Sequence, residues 1–135
     1  MPQYIGMLQT VAPNANVQFM DTVCGGNKCI THRAGSGLVT LKGGQGRAIY
    51  KVDFGANVAI PEDGTVGPIS LAISIDGEPV QIMTVTPAAV EEFFNVFGST
   101  LVCAPCGCCV SVSVRNIGEE DITVTDASLI VERRA

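Results

Sequence analysis

The chain has no tryptophan and only one histidine; 5% of its 135 residues are aromatic and 16% are charged. Each shortage removes a class of function. A metal-filled barrel enzyme needs several His and Glu ligands inside the barrel, which one imidazole does not supply. With 8 basic residues against 13 acidic ones, a net charge of -5 and a pI of about 4.6, the chain is poorly suited to sequence-independent binding of nucleic acid. Apolar runs are broken by Gly, Pro, Asp or Glu within about ten residues, short of the roughly 20 that cross a bilayer as a helix, so no membrane helix is expected. Met1-Pro2-Gln3-Tyr4 lacks the basic start and apolar stretch of a secretory leader. The expectation is a chain that stays where it is made, with its six cysteines read as thiols or metal ligands before disulfides.

Apolar surface is what the chain has in excess. Hydrophobic residues make up 47% and the mean hydropathy is +0.36. By length, residues 1–135 form one domain able to bury about two-thirds of its extended surface. So few charges on so apolar a chain imply oligomerisation, with the faces carrying Ile49 or Met83 expected to be exposed on a single copy.

The pattern is that of strands. Ile69, Leu71, Ile73 and Ile75 share one parity against Ser70, Ala72, Ser74 and Asp76, the period of a strand with one face in a core. Asp76-Gly77 tolerates positive φ, and Val80 to Thr86 follows as a second extended run, with Val80 and Ile82 alternating against Gln81 and Met83. Glu78-Pro79 predicts a hairpin loop a little longer than two residues. Tyr4–Thr10 and Asn16–Asp21 read as edge strands. Ile30–Arg33, Leu38–Lys42, the long segment Arg47–Ile60, Ser99–Cys103, Val110–Val114, Ile122–Thr125 and Ser128–Glu132 are also extended. Only Pro87–Phe94 has helix-like spacing, which fits one helical turn or a bulged strand. Roughly nine or ten short strands with almost no helix imply an all-β sandwich or jelly roll, and no fixed-period repeat appears.

The order of these elements resembles the compact jelly rolls of the tumour necrosis factor and complement C1q type. It is most similar to the globular heads that follow collagen-like stalks on bacterial spores and in phage proteins. Asn16-Val17-Gln18-Phe19, Gly46 to Val52, the hairpin Ile73 to Val80 and the ending Ala127 to Glu132 carry the resemblance. It departs from that pattern in having no Gly-X-Y stalk and in its cysteine-rich stretch at 103–109. The resemblance implies a homotrimer of β-sandwiches meeting around a threefold axis, with a role in structure, adhesion or recognition and no enzymatic activity. The expected setting is a phage or prophage particle, assembled in the bacterial cytoplasm, where the module is a structural or decoration component. Its partners there would be other virion proteins or a host-surface receptor. The alternative is an adhesion head on a bacterial cell or spore surface.

Few constellations carry chemistry. Cys103, Cys106, Cys108 and Cys109 fall within seven residues, and C-x2-C lets two thiolates reach one Zn2+ from a turn. Cys24 and Cys29 have four residues between them, so the chain lacks the repeated pair of a zinc ribbon. A zinc shared by Cys103, Cys106 and Cys108 with Cys24 or Cys29, thiols packed as small hydrophobes, and disulfides all remain open, and packed thiols without a cofactor are the expected state. His32 beside Arg33 has no recognisable nucleophile or acid as a partner. Glu91-Glu92 and Glu119-Glu120-Asp121 lack the alternating ligands of a calcium loop. Gly35-Ser36-Gly37 and Gly43 to Gly46 lack the Lys-Ser/Thr of a phosphate loop and read as turns.

Overall fold

A computed structural model describes residues 3–24, 29–43, 46–105 and 109–134, with backbone only at 23 and 24. Eleven strands are found among them: β1 (Gln3–Ile5), β2 (Gln9–Val11), β3 (Asp21–Cys24), β4 (Ile30–His32), β5 (Val39–Lys42), β6 (Ala48–Ala59), β7 (Ile69–Ile75), β8 (Glu78–Val85), β9 (Phe94–Ala104), β10 (Cys109–Asn116) and β11 (Ile122–Arg133). They form two antiparallel sheets. One runs β3-β1-β11-β6-β9, with β2 also on β11, and the other β4-β5-β10-β7-β8. Strand neighbours are distant in sequence, and the arrangement is a jelly-roll sandwich. No described residue is helical: Pro87 to Phe93 is a turn, in which Glu91 takes φ 57° and its N–H donates to the Ile60 carbonyl at 2.8 Å.

Period-2 patterning built the central strands as expected. Alternate residues of β6, from Ala48 through Tyr50, Val52, Phe54, Ala56 and Val58, are buried along its 12 residues. The core between the sheets is filled by Tyr4, Phe19, Leu41, Tyr50, Phe54, Leu71 and Leu129, with the rings of Phe19 and Phe54 edge to face at 6.4 Å. The two short C-terminal runs are one strand. β11 continues through a bulge where Asp126 takes φ 54° and the register against β6 shifts between Thr125 and Ser128. There the chain between β1 and β2 must pass close, because a Cβ on Gly6 would lie 2.9 Å from the Gln18 carbonyl oxygen and 3.0 Å from Ala127 Cβ.

The β7–β8 hairpin differs in two respects from its sequence reading. Its turn is the two residues Asp76-Gly77, both at positive φ (50° and 87°), with Ile75 paired to Glu78. Next comes a bulge: Ser74 pairs with Pro79, but Ile73 pairs with Gln81, so Val80 is the extra residue. Proline has no N–H to give the ladder, which is where a bulge is tolerated. The slip turns Met83, opposite Leu71, into the core at 6% exposure, and leaves Val80 and Ile82 48% and 56% exposed. Met83 is therefore not on an exposed face, and Ile49 is half-buried.

Candidate functional site

Phe93, Phe94, Phe97 and Leu101 are exposed where the two sheets end, while Met7 and Leu8 are exposed between β1 and β2. β8 closes one sheet and β9 the other, each strand pairs on one side only, and the two lie against each other. Gly98 makes the close approach possible, since a Cβ there would come within 2.7 Å of Met83 Sδ. On the outer face of β9, Phe97 and Leu101 are 65% and 63% exposed, and Phe93 and Phe94 are 48% and 38% exposed just before them. Phe97 faces Gly55 of β6, whose missing side chain leaves the ring beside bare backbone, and Cys103 faces Ile49. Polar contacts separate the apolar residues: Ser99 Oγ donates to Asp53 at 2.6 Å, and Lys51 lies 3.9 Å from the same carboxylate. With Val80 and Ile82 on β8, the apolar surface turns around the narrow edge of the sandwich. The sequence reading missed Phe97 and Leu101, although three of the five phenylalanines crowd into residues 93–97, next to a strand whose opposite face already supplies the core.

The strand directions bring Cys24, Cys29, Cys103 and Cys109 to one end of the sandwich. Cys24 and Cys29 lie at that end of β3 and before β4, Cys103 near the end of β9, and Cys109 at the start of β10 opposite Lys42, whose N–H donates to the Cys29 carbonyl. Cys103 and Cys109 are exposed and Cys29 is half-buried, with Arg133 Nη1 3.6 Å from its sulfur. Cys106 and Cys108, and the Cys24 side chain, lie outside the described residues. Among the described residues, no three His, Cys, Asp or Glu side chains are placed to hold a metal. Nearby, Tyr50 donates to the Lys42 carbonyl at 2.6 Å; burial first, and then Cys29, push its pKa above 10.0, and burial alone raises that of Tyr4.

At the opposite end, Asn116 is fully buried and organises the acidic turn. Its Nδ2 donates to the carbonyls of Val11 and Glu120 at 3.0 and 2.9 Å, and its Oδ1 accepts from Gly118 N–H at 3.0 Å. Glu119, Glu120 and Asp121 rim a cleft of about 310 Å3 floored by Ile60, Pro68 and Ile122. Glu62, Glu91 and Phe93 border a neighbouring one of about 380 Å3. His32 stands apart from both, its Nε2 2.9 Å from the Ser36 carbonyl and its ring 4.6 Å from that of Tyr4.

Neither a family model nor a curated protein sequence matches the chain. Solved structures do. A TNF of the Eiger type from S. frugiperda superposes with a TM-score of 0.75 at 12% identity, over 100% of this chain and 92% of that one. The globular domain of the zebrafish complement 1qA protein gives 0.63 at 14% identity over 96% of each chain. Murine APRIL gives 0.60 at 8% identity over 95% of this chain and 96% of that one. The strand order and these superpositions together show that the chain has the jelly-roll fold of TNF and C1q domains.

Proposed function

We propose that the chain is a homotrimeric, non-enzymatic structural and recognition module, and that its setting is a phage or prophage particle, where it decorates or completes the virion. The observation that carries the reading is the apolar surface around the β8–β9 edge. Phe97, Leu101, Ile82 and Val80 are exposed together on the two strands that end the sheets. A face of that kind calls for a cover, and a second copy of the same chain supplies one. Domains of this fold are usually homotrimers that bind receptors or ligands. A recognition role without catalysis fits the lack of a paired acid and base among the described residues, since His32 is committed to a backbone carbonyl. The phage setting rests on the resemblance to heads found in phage proteins.

Two measurements test the proposal. Light scattering on the purified chain should give about three times 14.1 kDa, and a mass of one chain at micromolar concentration would refute the trimer. Flanking genes for capsid and tail proteins would support the particle. Flanking glycosyltransferases or collagen-like repeats would replace it with a surface adhesion head.

A further inference from the structure

We propose that the cleft at the mouth of the β4–β5 hairpin binds a carboxylated sugar. The cleft, about 310 Å3, is lined by Thr31, His32, Arg33, Ser36, Leu38 and Thr40. On a chain with 13 acidic and 8 basic residues, a concavity lined by a guanidinium, an imidazole and three hydroxyls, with no carboxylate, is distinctive. The other two clefts described are both rimmed by carboxylates.

Its walls are fixed before any ligand arrives. The Ser36 carbonyl accepts from Phe19 N–H at 3.2 Å and contacts His32 Nε2 at 2.9 Å, so Nε2 carries the proton. The rings of Tyr4 and Phe19, at 4.6 and 6.3 Å, hold the imidazole plane. Gly35, at φ 85°, donates to the Phe19 carbonyl at 2.9 Å, Ser36 N–H to the Arg33 carbonyl at 2.9 Å, and Leu38 N–H to Ser36 Oγ at 3.0 Å. A loop tied at that many points loses little entropy when it binds.

The lining matches such a sugar group by group. Arg33 is exposed, and its guanidinium makes no ion pair or hydrogen bond with the described residues, leaving its fork available for a carboxylate. Thr31 and Thr40 are cross-strand partners whose hydroxyls donate or accept. Leu38, 47% exposed, offers an apolar contact to the C–H face of a pyranose ring. β4 is the edge farthest from β8 in its sheet, so the cleft is separate from the apolar β8–β9 edge.

The test is a two-dimensional NMR titration of the full chain with N-acetylneuraminic acid, galactose and inorganic sulfate as probes. The acid sugar should move the amides of residues 31–40 saturably. Galactose should bind about tenfold more weakly or less, as expected when one charge-assisted contact is lost. Arg33→Gln should weaken the acid sugar by about the same factor, with the spectrum outside the cleft unchanged. Equal binding of galactose, sulfate binding as tight as the acid sugar, shifts centred elsewhere, or no saturable shift would each overturn the proposal.

Discussion

Replacing Phe97 and Leu101 together by serine should dissolve the proposed assembly while leaving each chain folded. Both side chains are already in water on a single copy, at 65% and 63% exposure, so the isolated fold has little to lose. An aromatic side chain carries about 150–250 Å2 of surface, so about 130 Å2 of Phe97 remains to be covered, worth about 3 kcal/mol at about 25 cal/mol/Å2. The uncovered part of Leu101 adds about 1–2 kcal/mol. A loss of about 4 kcal/mol per chain weakens association about 1,000-fold. Sedimentation equilibrium over a range of concentrations reads that change directly, and far-UV circular dichroism checks the fold. An association constant within about threefold of the parent would refute the assignment of this edge to self-association, since about 0.7 kcal/mol cannot account for two buried anchors.

Asn116→Leu removes three hydrogen bonds at a fully buried position and should cost about 3 kcal/mol in urea unfolding, with a loss below about 1 kcal/mol contradicting the role given to that side chain. Gly43→Ala drives a Cβ into the backbone of Pro105 and should cost about 2 kcal/mol or more; a neutral substitution would mean that the 105 turn is free to move. Tyr4 and Tyr50 are the only tyrosines, and both should ionise above 10.0 in the folded chain, read from tyrosinate absorbance without interference from tryptophan. A raised folded pKa means that their contribution to stability is complete below pH 10.0 and is lost as pH climbs through the folded values; either tyrosine titrating at or below 10.0 would be inconsistent with its burial. If the cysteines are packed thiols, a chelator should leave the melting temperature unchanged, and elemental analysis finding about one zinc per chain would overturn that expectation.

The strands that the sequence made legible are those whose two faces differ. In β6 the alternation is read directly because one parity meets the core; β7 and β10 carry the same apolar parity inward, but Ala72, Ser74 and Ser113 on their other parity are buried as well. β8 is different, because its alternation is real but belongs to a register it does not keep. Without a bulge, the turn at Asp76-Gly77 would place Val80 opposite Ile73 and Ile82 opposite Leu71, the inward arrangement that the pattern advertises. One extra residue beside Pro79 reverses the parity, sends Met83 inward and turns two β-branched residues to the surface. Local patterning cannot reveal this, because the choice lies in backbone pairing with β7 and in the room beneath Gly98 that admits Met83. β9 hides its surface in the converse way. Val96, Val102 and Ala104 satisfy the core, and Phe97 and Leu101 then read as further core when the sheet has no inner position left for them. The cleft at β4–β5 was foreshadowed only by the unpaired look of His32 beside Arg33. The loop that closes it is tied to His32 by the Ser36 carbonyl, a backbone atom that no side-chain motif encodes. The two edges of the five-stranded sheet thus differ in kind: the bulged β8 edge exposes Val80 and Ile82, whereas the β4 edge presents Thr31 and His32.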